Sequence, residues 1–185
     1  LLADIQQYLK TAPDDLDWRR ISPDEIGWRL LNDGKGEYLE PGSASWETEL
    51  TPPADHFDAR LTVESPLLKA GAWWVRAKLQ DGNESRMVLW IADLAIARRH
   101  VESGTLTYVA DAVSGAPVKA DLELFGWQFD YARRAGRRIT TSRFADRTNE
   151  DGLCFLNPKQ LTPGQQWLTI ARTADGRLAF HGMST

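Results

Sequence analysis

Cysteine is almost absent from this chain, whose 185 residues include only Cys154. A single cysteine excludes an internal disulfide and any metal site built from cysteine pairs, so stability has to come from hydrophobic cores. Leu153 and Phe155 flank Cys154, which predicts a small buried side chain rather than a reactive thiol. A reducing compartment and an exported protein without disulfides both fit one cysteine, so cysteine usage leaves the location open.

Long apolar runs are also missing, because no stretch of about 18 consecutive apolar residues occurs. The sequence therefore predicts no membrane-spanning helix. The first residues do not follow a signal-peptide pattern either, since Leu2, Ile5 and Leu9 have the spacing of a short amphipathic helix. Because the chain begins with Leu1 rather than Met, we expect it to be a piece of a longer protein.

Catalytic and cofactor motifs are absent as well. His56, His100 and His181 are far apart and fit no metal-ligand spacing, and no serine stands in a Gly-x-Ser-x-Gly elbow. The segment Gly34–Gly36 lacks the strand-to-helix context of a phosphate-binding loop. Acidic pairs such as Glu150–Asp151 adjoin turns, although two distant carboxylates of a glycosidase would leave no such spacing. We predict a non-enzyme with no cofactor and no metal.

What the sequence does contain is period-two alternation separated by turn residues. Tyr108–Ala110 and Val118–Leu124 alternate on either side of Ser114-Gly-Ala-Pro117, where glycine permits positive φ and proline fixes φ. A second turn, Asn149-Glu-Asp-Gly152, precedes the short apolar strand Leu153–Leu156. These signals indicate an all-β fold of antiparallel sheets.

The length of the chain and the number of predicted strands favour two tandem immunoglobulin-like or fibronectin-III-like β-sandwich domains, at residues 1–92 and 93–185. The unit at residues 1–92 begins with the short helix. After it, either Asp17–Ile21 starts a strand or Ser22–Glu25 caps a helical turn. The predicted strands of the first unit are Trp28–Leu31, Glu37–Glu40, Trp46–Leu50, Phe57–Val63, Ala72–Leu79 and Arg86–Asp93. The second unit has about seven, at Leu94–Arg98, Gly104–Ala110, Val118–Trp127, Arg138–Phe144, Leu153–Leu156, Gln166–Arg172 and Gly176–Phe180.

Two surfaces are candidates for interactions. Alternation places Trp73, Val75, Ala77 and Leu79 toward a core and Trp74 on the opposite face, where it packs on the other sheet face or neighbouring domain, or forms a sugar platform. Trp46 and Trp127 are further candidates for such a platform.

The second candidate surface is basic. The net charge is −4, but residues 93–185 carry twelve basic and ten acidic side chains. Six arginines flanked by aromatic residues account for most of that excess: Arg133, Arg134, Arg137, Arg138, Arg143 and Arg147. A solvated loop and strand face explains this cluster better than nucleic-acid binding, because the whole chain is acidic and no recognition motif accompanies it.

Several motifs together resemble the macroglobulin-like domains of the bacterial alpha-2-macroglobulin family. They cover roughly residues 65 to 156 and are Leu68-Lys-Ala-Gly71-Ala-Trp-Trp-Val75, Asp93-Leu94-Ala95, Tyr108-Val-Ala-Asp111, Ser114-Gly-Ala-Pro-Val118 and Asn149-Glu-Asp-Gly152. Invasin-type and carboxypeptidase-regulatory β-domains use a turn similar to Ser114–Val118.

The resemblance implies a structural segment of a large extracytoplasmic protein, in the periplasm or cell envelope, that traps proteases. Such proteins capture the protease through a Cys-x-x-Gln thioester, whereas Cys154 is followed by Phe155, Leu156 and Asn157, so this segment lacks the thioester. Its implied partners are the other domains of the parent chain and, through the parent, proteases, with no nucleic acid and no membrane span. The alternative is an adhesin or carbohydrate-binding module of a cell-surface protein.

Overall fold

The computed structural model describes residues 2–11, 16–25, 34, 39–40, 44–51, 60, 62–67, 69–80, 82–130 and 138–184. Helix α1 spans Leu2–Lys10 and helix α2 spans Trp18–Ile21, followed by a 3-10 turn at Pro23–Glu25. The strands are β1 Gly71–Lys78, β2 Glu84–Ile91, β3 Leu94–Val101, β4 Gly104–Asp111, β5 Asp121–Asp130, β6 Arg138–Arg147, β7 Leu153–Leu156, β8 Gln166–Arg172 and β9 Leu178–Ser184. The predicted all-β class is confirmed.

Seven of these strands form two antiparallel sheets. One sheet has three strands in the order β3-β4-β7, and the other has four in the order β6-β5-β8-β9. The sequence predicted about seven strands here, and each observed strand overlaps a predicted one. The bounds differ by a few residues at the strand ends, where pairing partners and not local pattern decide the last residue.

The two sheets enclose a hydrophobic core. Leu94, Val109 and Leu156 contribute from the three-stranded sheet, while Leu122 and Leu124 contribute from the four-stranded sheet, and all five are nearly inaccessible to solvent. Alternation along β4 and β5 directs these side chains inward. Residues 94–184 therefore have the packing of a β-sandwich.

A second apolar cluster covers the outer face of the four-stranded sheet. Ile5 and Leu9 of α1, together with Ile21 of α2, pack against outward-facing side chains of β5 and β8, which are Phe125, Trp127, Leu168 and Ile170. The sequence groups α1 with residues 1–92, whereas these contacts are with the sheet of the following unit. The domain boundary at residue 92 stays a prediction.

Strands β5 and β8 are consequently buried on both faces. In β5, Leu124 faces the sandwich core and Phe125 lies under the helices. In β8, Trp167 faces the core and Leu168 lies under the helices. Because both faces are covered there, apolar side chains occupy successive positions in the middle of each strand, at Leu124–Phe125 and Trp167–Leu168. Gly126 fits this arrangement because a Cβ there would meet the Trp167 ring at 2.9 Å.

Strands β1 and β2 form a separate two-stranded hairpin. Their register places Trp73, Val75, Met87 and Leu89 on one face, and Met87 is 56% exposed. The hairpin touches the sandwich where Trp90 packs edge-to-face on Phe180, with ring centroids 5.0 Å apart.

In the first unit, the strands predicted at Ala72–Leu79 and Arg86–Asp93 are confirmed as β1 and β2, whereas other expectations fail or lie outside the described residues. The strand predicted at Trp46–Leu50 is wrong, because residues 44–51 have no regular secondary structure and are exposed. The strand predicted to start at Asp17–Ile21 is wrong, because Trp18–Ile21 form helix α2. The alternative of a helical turn at Ser22–Glu25 agrees with the 3-10 turn at Pro23–Glu25. The predicted strands at Trp28–Leu31, Glu37–Glu40 and Phe57–Val63 fall largely or wholly outside the described residues. The first sandwich therefore stays a prediction.

Candidate functional site

The residues predicted to form a core in the first unit lie on an open hairpin face. Trp73 and Val75 are half-buried, but Ala77 and Leu79 are exposed, and neither hydrophobic cluster of the described residues includes them. The prediction of burial is therefore wrong for Ala77 and Leu79. Trp73 is held by a hydrogen bond from its indole Nε1 to the Lys69 carbonyl, at 3.0 Å.

The three candidate sugar-binding tryptophans end in different surroundings. Trp74 is half-buried on the hairpin face that it shares with Arg76, opposite Val88. Trp46 is 38% exposed, in a segment without regular structure. Trp127 is 1% exposed beneath the helices, so its assignment to an exposed sugar platform is wrong. The packing of α1 over β5 is the reason, and the strand pattern alone did not show it.

The basic cluster is only partly described. Arg133, Arg134 and Arg137 lie outside the described residues, and Arg138 begins β6, opposite Asp130. The two later arginines of the cluster have carboxylate partners on β5: Arg143 pairs with Glu123, and Arg147 pairs with Asp121. The hydrogen bond that the Arg147 side chain donates to the Asp121 carboxylate raises the pKa of Arg147. These ion pairs neutralise two of the arginine charges that would otherwise be available to bind a nucleic acid.

The Ser114–Pro117 turn is organised by the carboxylate of Asp111. Its Oδ1 accepts hydrogen bonds from the amides of Val113 and Ser114, at 3.1 and 2.9 Å, and from the Ser114 hydroxyl. Gly115 adopts φ of 72°, as the turn chemistry predicted. The amide and hydroxyl of Ser114, then the Arg177 side chain, hold the pKa of Asp111 well below its usual range.

Arg177 joins this turn to the segment between the hairpin and the sandwich. Its Nη2 donates to Asp111 Oδ2 and to the Asp93 carbonyl, both at 2.6 Å, and its Nε lies 3.0 Å from Asp93 Oδ2. The Ala112 amide donates to the same Asp93 carbonyl. The carboxylates of Asp111, and then of Asp93, raise the pKa of Arg177. Asp93 is therefore fixed from two sides; we call Asp93, Asp111 and Arg177 the junction cluster.

The second turn motif meets the first in space. Asn149 Oδ1 accepts from the amides of Asp151 and Leu153, and Gly152 has φ of 69°. A Cβ at Gly152 would overlap the Val109 carbonyl oxygen and lie 3.1 Å from the Pro117 side chain. Two turns separated by more than thirty residues are thus packed against each other at one end of the sandwich.

Thr148, which follows β6, is hydrogen-bonded to the segment that leads into β5. Its hydroxyl donates to the Val118 carbonyl at 2.9 Å and accepts from the Ala120 amide at 2.8 Å. Thr148 is 1% exposed, so these bonds satisfy groups that water does not reach. Sequence reasoning missed Thr148 and Arg177, because neither stands in a motif and each acts on a distant segment.

The remaining chemistry-bearing side chains have structural surroundings. Burial, with the nearby Asp146 carboxylate, raises the pKa of the Cys154 thiol to about 12, which suppresses the nucleophilic thiolate. His100 Nδ1 is 2.9 Å from the Thr105 hydroxyl, while His56 lies outside the described residues. Within the described part of the chain, no group of three or more His, Cys, Asp or Glu residues could hold a metal ion.

No protein-family model, no curated protein and no solved structure matches the chain. Among the described residues, no helix is long and apolar enough to cross a membrane.

Proposed function

We propose that this chain is a non-catalytic structural segment of a large extracytoplasmic protease inhibitor of the alpha-2-macroglobulin type. In this role, β-units in series hold distant parts of the parent chain at fixed positions, and the parent's other domains are its direct partners. The observation that carries the proposal is the junction cluster, because it ties the segment entering the sandwich to the sandwich itself.

The strand order supports an immunoglobulin-like classification of residues 93–185. In a seven-stranded immunoglobulin domain, the first, second, fifth and fourth strands share one sheet, and the third, sixth and seventh share the other. Here the fourth strand, β6, pairs with the third strand, β5, instead of joining the sheet of the first strand. One sheet therefore has three strands and the other has four. We propose that this is a fibronectin-like variant of the same sandwich, which is the fold that the family resemblance implies.

The positions of the quoted motifs also support the proposal. Asp93, the Ser114–Val118 turn and the Asn149–Gly152 turn come together at the end of the sandwich that adjoins the hairpin. Polar side chains there accept hydrogen bonds from backbone amides or form ion pairs with one another, which leaves them unavailable to a ligand. Residues used in this way suit a stiff joint between consecutive β-units.

The proposal is tested on the parent chain and on this segment together. Each is incubated with trypsin, and cleavage of a large protein substrate is compared with cleavage of a small peptide substrate. We expect the parent to block only the large substrate, since a trapped protease stays active toward small molecules, and the isolated segment to block neither. Inhibition by the isolated segment alone, or hydrolase activity in it, would contradict the proposal.

The carbohydrate-binding alternative depends on exposed tryptophans, and Trp46 and Trp74 remain its candidates. Binding to a glycan array that disappears in Trp74→Ala or Trp46→Ala, with an unchanged circular dichroism spectrum, would favour it over the scaffold.

A further inference from the structure

Arg98 lies half-buried in the sandwich and has no hydrogen-bond or ion-pair partner in the part of the chain that the structure describes. Arg98 is on β3 with Leu94 and Ile96 at alternate positions, and both of those residues pack in the core, so the Arg98 side chain also points between the sheets. It is half-buried, and its Nε and Nη1 atoms are shielded from solvent without a hydrogen-bond acceptor. Burial lowers the pKa of the Arg98 guanidinium.

Two buried threonines face the same interior. Thr107 is opposite Arg98 on β4, and Thr169 is on β8, opposite His181 on β9. Both threonines have 0% exposure, and neither Oγ1 has a hydrogen-bond partner among the described residues. A buried hydroxyl without a partner is destabilising, so two of them facing the same interior as Arg98 need an explanation.

The strand arrangement places these groups at one level of the sandwich. The Arg177–Asp93 ion pair aligns the starts of β3 and β9, which lie beside each other. Arg98 follows Asp93 by five residues and His181 follows Arg177 by four. At about 3.3 Å per residue, Arg98 lies about 16 Å beyond Asp93 along β3, and His181 lies about 13 Å beyond Arg177 along β9. The two side chains are therefore at nearly the same level.

No negative charge faces Arg98 in this layer of the described strands. Register identifies the core-facing residues at its level as Thr107, Cys154, Leu124, Phe144, Thr169 and His181. Asp146, one core-facing position further along β6, interacts with Cys154 instead. Shielding two guanidinium nitrogens of a half-buried arginine without an acceptor is unfavourable, so Arg98 lacks a negative partner among the described residues of this layer.

We propose that the layer binds a small oxyanion, a carboxylate or a phosphate, between β3 and β9. Arg98 supplies the charge and N–H donors, and the hydroxyls of Thr107 and Thr169 donate to the remaining oxygens. Guanidinium groups prefer these two ligand classes because their planar donors match oxyanion geometry. Entry is from the β3–β9 side, where Arg98 and His181 are both half-buried rather than inaccessible. This site is independent of the proposed scaffold function.

The test uses nuclear magnetic resonance of the whole chain, titrated with inorganic phosphate, with acetate, and with chloride at matched ionic strength. We expect saturable shifts of the Arg98 Nε–H and of the Thr107 and Thr169 amides with phosphate or acetate, and none with chloride. The stronger of the two titrations identifies the oxyanion class. Equal shifts with chloride, or no saturable shift at Arg98, would overturn the site and show that the guanidinium only extends toward water.

Variants make the assignment specific. Arg98→Met should raise the half-saturating anion concentration roughly tenfold or more, as expected for losing a charged hydrogen bond. Arg99→Met is the matched control, because Arg99 is the exposed neighbour on the opposite face of β3 and should leave that concentration unchanged. Thr169→Val keeps the shape without the hydroxyl and should also weaken binding, so the proposal stays testable if Arg98→Met fails to fold. Unchanged binding in Thr169→Val and Arg98→Met would contradict it.

Discussion

At the residue scale, glycine residues, which have no side chain, determine how closely the two turns pack together. Gly115 and Gly152 both have positive φ, at 72° and 69°, where most other residues are strained. They differ in their surroundings, because a Cβ at Gly115 would meet nothing within 4 Å whereas one at Gly152 would overlap the Val109 carbonyl oxygen. The sequence indicated turns at both glycines but not this difference.

We therefore expect Gly152→Ala to destabilise the sandwich more than Gly115→Ala. Both replacements pay the left-handed backbone cost of about 1–2 kcal/mol, and Gly152→Ala adds about 1–3 kcal/mol of overpacking. Urea unfolding followed by tryptophan fluorescence measures both free energies. Equal losses of unfolding free energy in the two variants would contradict this, because the backbone near Val109 would then shift to admit the methyl group without a free-energy cost.

Cys154 gives a second prediction at this scale. With its pKa raised to about 12 by burial, the thiol should not react with a disulfide reagent at pH 8 in the folded protein, and should react at once in denaturant. The sign of the pH effect follows from the same shift. A thiol that ionises less easily when folded contributes stability below its unfolded pKa near 8.5, and that stability is lost as pH rises toward about 12. Rapid labelling of the native protein would disprove the burial.

At the element scale, α1 serves as a cover for a sheet that would otherwise expose large apolar side chains. Ile5 and Leu9 recur at helical spacing and are 0% and 2% exposed, and the surface under them includes Phe125 and Trp127. A helix of nine residues is marginal on its own in water, so packing on the sheet has to stabilise it. Helix and sheet are stable together.

Ile5→Ala should therefore cost about 2–5 kcal/mol and shift the emission of Trp127 to longer wavelength as water reaches the indole. Gln7→Ala is the matched control, because Gln7 is on the exposed side of the same helix and alanine favours helix formation. Unfolding curves and emission spectra of the two variants make the comparison. A loss in Ile5→Ala no larger than that in Gln7→Ala would contradict the covering role.

At the scale of the whole molecule, the junction cluster connects the hairpin to the sandwich. Hydrogen bonds to Ser114, then Arg177, lower the pKa of Asp111, so the ionised form is favoured in the folded state. Stability from this carboxylate is present above the ordinary pKa of Asp, near 4, and is lost as pH falls through the lowered folded value. Acid should weaken the junction for this reason.

Asp111→Asn should flatten the fall in stability below about pH 4, and Arg177→Met should speed hydrogen exchange at the Ala112 amide, which donates to Asp93. Arg172→Met is the control for charge, since Arg172 is exposed at the end of β8 and its side chain makes none of the junction contacts described above. Exchange mass spectrometry over residues 91–115 provides the measurement. Unchanged exchange at Ala112 in Arg177→Met would show that the junction is held by other contacts.

Local pattern predicted more of the second unit than of the first. In β4 and β7, alternation and glycine turns indicated the strands correctly, because period two and positive φ are properties of neighbouring residues. Trp46–Leu50 alternates as clearly but is not a strand, since alternation without a partner strand leaves the backbone unpaired. For the candidate sites, sequence found Asp111 and Asn149 but not Arg177.

The sequence by itself determined the all-β class, the seven strands from residue 94 onward, and the turns at Gly115 and Gly152, all through contacts between near neighbours. Only the tertiary structure decided that α1 covers Trp127, that Arg177 fixes Asp93, and that Arg98 and Thr169 face one core. Those outcomes join segments dozens of residues apart. Whether such segments meet depends on which faces the sheets leave uncovered, and no local periodicity contains that information.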